Sequence, residues 1–412
     1  MLRQLFLFLC LVCALCARAQ RCEILSDHIA TLQLTAGDDW MAPPVIRLGS
    51  GDKVRIEFDD LTHDYRRYTY DLRHCEADWT PSEELLTSDY CDGFAEGNTI
   101  DDYEESFNTN QLYVHYTLDL PNSLCSMKIS GNYEVIVYDE DADHQPIARA
   151  CFMVVDPAMT VGMTATMVTD QDVNGRHQQV GMVVNYNGLR VNDPTTQVHT
   201  VVLQNFRWDN ARVNARPQYV SGDGLKWDHC RDYVFDGGNE YRKFEVLDLD
   251  HTSMGIEELR WDGARYHAFK FADEPRSSYV YDEDANGAFL IRNSDNTEVT
   301  TTTDYVLVHL RLKAPRQAAP IYVNGWWTYD RMLPQYEMQW SPDRNEYEAA
   351  LWLKQGYYSY QYLTEQPDGT FAPLPSEGNF HETENFYDAL VYYREQGGRT
   401  DLLVGWGHIR LR

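Results

Sequence analysis

The sequence predicts an all-β protein built from tandem immunoglobulin-like or early-set β-sandwiches. Apolar and polar residues alternate over short stretches, turn signals recur roughly every ten residues, and helical periodicity is not sustained anywhere in the chain. At 412 residues, the chain exceeds what one hydrophobic core organises. Three sandwiches of ordinary size account for its length.

The start of the chain has the features of a secretory signal peptide, residues 1–19. A basic start is followed by an apolar stretch, residues 5–15, and by small residues that predict cleavage before Gln20. A lipid anchor at Cys16 or Cys22 is the alternative, although the residues before each match that signal poorly. No second apolar stretch approaches the roughly 18 residues of a membrane span. We therefore expect an exported protein without direct membrane insertion.

Two changes in composition divide the mature chain. The first lies at Val155-Asp-Pro-Ala158, where an apolar strand runs into proline, and it closes an N-terminal sandwich of residues 20–156. The second lies in the polar run Asn296-Thr-Glu-Val-Thr-Thr-Thr-Thr303. It separates a middle β domain, residues 157–300, from a C-terminal early-set-like sandwich, residues 301–412.

The first sandwich carries the clearest local signals. Apolar residues of Val54-Arg-Ile-Glu-Phe58 alternate and share one face. Gly131-Asn132 predicts a turn, after which the strand at residues 133–137 alternates again. Thr80-Pro-Ser-Glu83 has the form of a capping box and predicts a short helix directly after Trp79.

Charge excludes some partners. The formal net charge of −29 becomes about −31 when the signal peptide leaves, because it carries Arg3 and Arg18 and no acid. So acidic a surface repels nucleic acid and anionic lipid. It favours a protein partner, or it serves solubility alone.

Six cysteines remain after cleavage, five of them in the first third of the mature chain. They are Cys22, Cys75, Cys91, Cys125, Cys151 and Cys230. In an oxidising compartment we expect bridges within the first sandwich, with Cys75–Cys91 or Cys125–Cys151 as the local pairs. The alternative is that these cysteines are buried thiols in a core that is stable without disulfide bridges.

One acidic loop is a candidate metal site. Asp282, Asp284 and Asn286 alternate before Gly287, as in the first half of a calcium loop. The bidentate glutamate of such a loop is missing, since its position holds Asn293. Asn-Gly between apolar runs is also a hairpin turn signal, and a solvated hairpin tip is the favoured interpretation.

Catalysis is not predicted. Gly-x-Ser-x-Gly, phosphate-loop and His-Glu-x-x-His motifs are absent, the histidines are scattered, and no catalytic residue or cofactor site is assigned. Carboxylate pairs such as Asp59-Asp60 arise by chance among 64 acids. The last segment, from Ile321-Tyr-Val-Asn-Gly-Trp-Trp327 onward, is similar to early-set sandwiches of starch- and glycogen-active proteins. Trp326 and Trp327 are therefore candidate contacts for a glycan or a partner, with core filling as the alternative.

A set of motifs spread over nearly the whole mature chain carries a resemblance to a known family. They are Phe58-Asp-Asp-Leu61, His74-Cys-Glu-Ala-Asp-Trp79, His115-Tyr116, Ser130-Gly-Asn-Tyr133, Gln204-Asn-Phe-Arg-Trp-Asp-Asn210, Gly238-Asn-Glu-Tyr-Arg242, Asp284-Ala-Asn-Gly-Ala-Phe-Leu-Ile291, Leu353-Lys-Gln-Gly-Tyr-Tyr-Ser-Tyr360, Thr383-Glu-Asn-Phe-Tyr387 and Val391-Tyr-Tyr-Arg394. In their order, these motifs resemble the plug protein family of the bacterial type IX secretion system.

The resemblance implies a function that the residues alone do not. Such proteins close the periplasmic opening of a large outer-membrane β-barrel translocon while no cargo passes. It implies a non-enzymatic periplasmic protein, associated with the outer membrane through that barrel. The alternative is a glycan-binding β-sandwich module of an envelope polysaccharide-processing complex, which rests on the C-terminal segment alone.

Overall fold

The computed structural model describes residues 22–412, so the expected signal peptide, residues 1–19, lies outside the described residues. Regular structure in that range is nearly all strand, arranged in several sheets, which confirms the predicted all-β array of sandwiches. Helix is limited there to single turns. They are α1 (Thr87–Tyr90), α2 (Pro194–Gln197), α3 (Val299–Thr302) and the 3-10 turns Glu140–Ala142, Arg231–Tyr233, Trp326–Thr328, Pro334–Tyr336 and Pro375–Glu377.

The first sandwich packs two sheets around one aromatic core. Its strands are β1 (Glu23–Ile24), β2 (Ile29–Ala36), β3 (Val45–Arg47), β4 (Val54–Asp60), β5 (Tyr68–Cys75), β6 (Cys91–Gly93), β7 (Asn98–Thr99), β8 (Asp102–Glu105), β9 (Val114–Leu120), β10 (Cys125–Met127), β11 (Gly131–Asp139) and β12 (Gln145–Val155). One sheet has the order β1-β12-β11-β5-β7 with β3 beside β12, and the other β2-β4-β9-β8. Strands β6 and β10 form a separate two-stranded ribbon. Alternation in β4 buries Ile56 and Phe58 completely, as the sequence predicts.

The middle sandwich begins directly after the first. Its strands are β13 (Thr160–Thr166), β14 (His177–Asn185), β15 (Val198–Gln204), β16 (Arg212–Val213), β17 (Tyr219–Val220), β18 (Gly224–Trp227) and β19 (Val234–Asp236). The chain then leaves for the third sandwich, which has the strands β20 (Arg242–Val246), β21 (Ile256–Trp261), β22 (Tyr266–Lys270), β23 (Phe289–Ile291), β24 (Tyr305–Leu312), β25 (Ile321–Asn324), β26 (Gln339–Ser341), β27 (Glu346–Lys354), β28 (Gly356–Glu365) and β29 (Phe371–Pro373). It returns through β30 (Asn385–Tyr393) and β31 (Leu402–Leu411).

The expected boundary between residues 300 and 301 is wrong. Strand β30 pairs antiparallel with β15 from Val198↔Tyr393 to Gln204↔Tyr387, so the last two strands complete the middle sandwich. The third sandwich is therefore an insertion between β19 and β30. The polar run at 296–303 contains α3, a turn inside the inserted sandwich. The polar composition of residues 296–303 indicates a turn. Composition does not show which distant strands pair, and so it does not predict the pairing of β30 with β15.

The two chain segments that enter and leave the inserted sandwich lie against each other. Phe380 N donates to Gly238 O at 2.8 Å, and Gly238 N donates to Asn379 Oδ1 at 2.8 Å. Gly237 permits this approach, because a Cβ there would lie 2.1 Å from Phe380 O. A double connection of this kind restrains the insertion more than a single linker does.

Two local predictions in the first sandwich are wrong. The helix begins at Thr87 instead of directly after Trp79, because Asp89 caps the Leu86 N–H at 2.9 Å while Thr80 Oγ1 donates to Asp78. Gly131 is the first residue of β11 and does not form a turn with Asn132. A Cβ on it would lie 2.1 Å from Nε2 of His74, so close packing requires the glycine.

Candidate functional site: the junctions of the sandwich array

A buried group of charged and phenolic side chains joins the first sandwich to the third. The Asp59 carboxylate on β4 accepts from Lys354 Nζ at 2.7 Å and from Tyr305 Oη at 2.6 Å. Its other oxygen lies 2.7 Å from Nδ1 of His115 on β9. The Lys354 ammonium also lies 4.0 Å from the ring centre of Tyr113. We call Asp59, His115, Tyr305 and Lys354 the charged junction.

Burial and ion pairing shift the pKa values of the charged junction in opposite directions. Burial raises the pKa of Asp59, but attraction to Lys354 and the hydrogen bond with His115 outweigh burial and lower it overall. Burial lowers the pKa of Lys354, and Asp59 offsets only part of that effect. Burial also lowers the pKa of His115, but hydrogen bonds to Asp59 and Glu57 raise it to about 9. The Asp59 carboxylate thus stays ionised because it is paired with two cations, Lys354 and His115.

A second set of contacts extends the charged junction along the same edge. The Asp304 carboxylate, at the start of β24, accepts from the backbone N–H groups of Asn110 and Gln111 at 2.6 and 3.0 Å. Tyr113 Oη donates to the carbonyl of Thr303 at 2.8 Å. The loop between β8 and β9 is therefore held against the third sandwich by backbone and side chain together.

The first sandwich meets the middle one through an apolar core, which we call the apolar junction. Its edge-to-face pair is Trp79 with Trp208, whose ring centres are 5.5 Å apart. The fully enclosed members include Met153 from β12 and Leu203, Leu390 and Leu403 from the middle sandwich. The buried set is Val45, Cys75, Trp79, Cys151, Met153, Val155, Val201, Leu203, Phe206, Trp208, Leu390, Tyr392 and Leu403.

Polar groups close the rim of the apolar junction. His74 Nδ1 lies 2.8 Å from Ser82 Oγ, and Ser82 Oγ lies 3.0 Å from Thr400 Oγ1 of the middle sandwich. Arg394 pairs with Glu76 across the junction at 2.7 Å. Burial lowers the pKa of His74 to about 4, so its imidazole is neutral at neutral pH.

The structure buries Trp327 and leaves Trp326 half-buried where two sandwiches meet. Trp327 is 5% exposed, and its Nε1 donates to Ser359 O at 3.1 Å. Trp326 packs its ring 6.0 Å from that of Phe206, and its Nε1 donates to Asn205 O at 3.1 Å. Trp326 thus joins the third sandwich to the middle one. The positions favour the core-filling alternative over contact with a glycan.

The three candidate calcium ligands do not converge. Asp282 pairs with Lys243 at 2.7 Å. Asp284 is enclosed and accepts from the backbone N–H groups of Tyr241 and Asn286, and burial raises its pKa to about 8. Asn286 is only 5% exposed. No group of three or more His, Cys, Asp or Glu residues suited to a metal is found in residues 22–412.

The Asn-Gly sequence forms a turn, but the expected solvated hairpin tip is wrong. Asn286 and Gly287 have φ angles of 49° and 93°, as that turn type requires. The strand that follows, β23, pairs with β28 and not with the segment before the turn. A Cβ on Gly287 would lie 3.1 Å from Cε1 of Tyr241. The turn therefore packs inside the array.

The cysteines meet in a combination that the sequence did not suggest. Cys91 and Cys125 bring their sulfur atoms to 3.1 Å in the core of the first sandwich. Cys75 and Cys151 lie in a different cluster, the core of the apolar junction. Spacing suggested the pairs Cys75–Cys91 and Cys125–Cys151. Each of these bridges would have to connect a cysteine of one hydrophobic core with a cysteine of the other.

A cleft of about 490 Å³ lies between the first and third sandwiches. Ile29 and Leu61 line one side, and Leu307, Trp352 and Tyr336 line the other. Its volume is in the range of small-molecule sites. Its lining is mainly apolar and aromatic, and it includes Ser26, whose Oγ lies 2.7 Å from Nδ1 of His28.

Spacing could not reveal the charged junction. Asp59 and His115 face each other across paired strands, but Lys354 comes from another sandwich. The one sequence signal for this junction was Lys354 at the end of the apolar strand β27. The Gln355-Gly356 that follows it suggests an exposed lysine instead of a buried one. In the structure, the Lys354 side chain is 1% exposed.

Comparisons with known proteins give one family match and one solved structure that is similar over nearly the whole chain. Residues 29–156 match the family described as type 9 secretion system plug protein, 1st domain. A hypothetical protein from Parabacteroides merdae ATCC 43184, with a crystal structure at 2.30 Å, is 35% identical with a TM-score of 0.92, and the match covers 95% of this chain and 99% of that one.

Two further solved structures are much more distant. A partial N-terminal region of an enterococcal surface protein is 8% identical with a TM-score of 0.19, covering 95% of this chain and 96% of that one. Escherichia coli alpha-2-macroglobulin activated by porcine elastase is 10% identical with a TM-score of 0.18, covering 94% of this chain and 34% of that one. No curated protein matches the chain.

Proposed function

Because the chain belongs to the type 9 secretion system plug protein family, we propose that it seals the periplasmic opening of that system's outer-membrane β-barrel translocon while the barrel is idle. Family and fold point to a structural component of the secretion system with an envelope-associated location, and not to an enzyme. The sealing role, the barrel as direct partner and a periplasmic site are our proposal.

The observation that supports sealing is the way the three sandwiches are joined. The first sandwich contacts the third through the charged junction and the middle one through the apolar junction, and Trp326 links the third to the middle. Each sandwich is thus fixed to both others. A closure over a pore wide enough for folded cargo has to keep its shape under osmotic and thermal stress, which a flexible string of domains would not do.

Charge and composition fit a reversible protein contact. A formal net charge of −29 keeps an unbound copy soluble and away from anionic lipid. Within residues 22–412, no helix has the length and apolar composition needed to cross a membrane. Polar, partly hydrated interfaces suit a closure that is released in each export cycle.

The test is a permeability measurement in cells. Deleting the gene should admit dyes or antibiotics too large for ordinary porins while cargo export continues, since the proposal gives the chain no part in driving transport. Deleting the translocon barrel as well should abolish the leak. Unchanged permeability in the single deletion, or a leak that persists without the barrel, would overturn the proposal.

The glycan-binding alternative has a direct test of its own. Because Trp326 and Trp327 are held in the array, titration of tryptophan fluorescence with soluble glucans should leave the emission unchanged. A saturable change in emission would favour that alternative.

A further inference from the structure

The β6–β10 ribbon brings two cysteines together beneath its surface. The strands pair antiparallel, with Gly93 opposite Cys125 and Cys91 opposite Met127. Cys91 and Cys125 are therefore diagonal neighbours on the same face of the ribbon. Their side chains are turned toward each other, since the Sγ atoms are 3.1 Å apart.

We propose that Cys91 and Cys125 form a structural disulfide in the exported protein. A disulfide bond is about 2.05 Å long, so the sulfur atoms need to approach by about 1 Å. The movement is available to side chains on a short, two-stranded ribbon, where no third strand fixes the backbone. This assignment does not depend on the sealing function.

The reaction is an oxidation of two thiols. Each thiol loses one proton and one electron as the Sγ–Sγ bond forms, and the disulfide of a low-molecular-weight or protein oxidant accepts both electrons and both protons to become two thiols. Exchange requires a thiolate, and burial raises the pKa of the Cys125 thiol well above its ordinary value. The bond should therefore form before the ribbon closes onto the core, during folding.

Burial then protects the bond. Cys91 is 3% exposed and Cys125 is 1% exposed, so a reductant reaches neither sulfur in the folded protein. The ribbon carries two exposed apolar side chains at its end, Phe94 at 70% and Leu124 at 43%. Phe94 N donates to Leu124 O at 2.9 Å, directly beside the cysteines. The disulfide would thus keep an apolar, solvent-facing tip from opening.

The first test is chemical. The full mature chain is refolded with oxidised and reduced glutathione, unfolded in acid with guanidinium chloride, alkylated, digested and mapped by mass spectrometry. We expect a peptide pair joined through Cys91 and Cys125, and the same pair in the matched variant Cys230→Ser. Both sulfurs alkylated, or Cys91 joined to Cys75, would overturn the assignment.

The second test is thermal and uses the unmodified sequence, so it does not rely on a variant that folds. The bond joins cysteines that are 34 positions apart in the chain, and the oxidised protein should unfold roughly 5–10 °C higher than protein refolded under reducing conditions. Adding reductant to the folded oxidised protein should not lower the unfolding temperature within minutes. In Cys91→Ala, the difference between the unfolding temperatures after refolding with and without reductant should be smaller than in the wild-type protein. Equal unfolding temperatures for the oxidised and reduced wild-type protein would contradict the proposal.

Discussion

The first sandwich is attached to its two neighbours by opposite means. Toward the middle sandwich it buries tryptophans and aliphatic side chains in the apolar junction, and toward the third it buries one carboxylate between two cations in the charged junction. Apolar contact is insensitive to pH and tolerant of small shifts. A buried ion group is stable only with every partner in place. We infer that the apolar junction holds the first and middle sandwiches together, while the charged junction fixes the orientation of the inserted third sandwich.

The largest expected effect is the removal of one charge from the charged junction. Lys354→Met keeps the volume of the side chain but leaves Asp59 buried without its ammonium partner. We expect a loss of about 3–5 kcal/mol in the free energy of unfolding, measured by urea denaturation.

Two variants serve as controls for the lysine substitution. Lys313→Met removes an ammonium from an exposed ion pair and should change nothing measurable. Adding Asp59→Asn to Lys354→Met should recover much of the loss, because the buried carboxylate is removed together with the ammonium and His115 keeps Glu57 as a partner at 3.4 Å. A single variant as stable as the wild-type protein would show that Asp59 and Lys354 are not paired in a dry site.

The apolar junction should respond to volume instead of charge. Leu403 is completely buried in that junction, and Leu403→Ala should cost about 3 kcal/mol through lost burial and the cavity left behind. The loss should be the same at pH 6 and pH 9, which distinguishes it from substitutions in the charged junction. Leu86→Ala, at a residue 69% exposed, is the matched control and should have little effect.

The stability of the chain should depend on pH through His115 in the charged junction. The pKa of His115 is raised to about 9 in the folded chain, above the value of about 6.5 expected when unfolded. Its stabilising contribution is therefore complete below about pH 6.5 and is lost as pH rises through 9. We expect the free energy of unfolding to fall by an amount on the order of 2 kcal/mol across that pH window. Thermal unfolding measured in a pH series would show this loss. His115→Gln should flatten this part of the curve, and a variant with the wild-type slope would exclude His115 as its source.

The smallest expected effect concerns the Asn286-Gly287 turn, which packs against the segment that enters the third sandwich. Gly287→Ala places a Cβ at a φ of 93° and 3.1 Å from Tyr241, and should cost about 1–2 kcal/mol. Gly369→Ala is a matched control, because Gly369 has a φ of 83° with open space around it. Both variants carry the backbone strain, so the difference between them in urea denaturation reports the packing alone. Equal losses would mean that the turn has room to adjust.

The sequence predicted the strands better than their partners. Alternation is a local property, and Val54 to Phe58 bury the face that their pattern indicates. Pairing is not local, and the return of β30 to β15 has no signal in composition. Gly131 and the Asn286-Gly287 turn show the same limit, since the sequence identifies a glycine's conformational freedom but not the side chain that packs against it.

The candidate site was predictable only in fragments. Asp59 and His115 were visible as a strand-end acid and a strand histidine, but their buried partners come from the inserted sandwich. Trp326 and Trp327 were visible as bulky aromatics, and only the fold decides that they face inward. Where a site is made by contact between sandwiches, spacing within one of them cannot define it.

The most direct test of sealing is the ion conductance of the purified translocon barrel in a planar lipid bilayer. The full mature chain is added to the periplasmic side, and a heat-unfolded sample of the same chain is added as control. We predict that the folded chain lowers the conductance of an open barrel to that of the bare bilayer, and that the unfolded chain does not. Conductance that stays unchanged while the folded chain is bound to the barrel would contradict it.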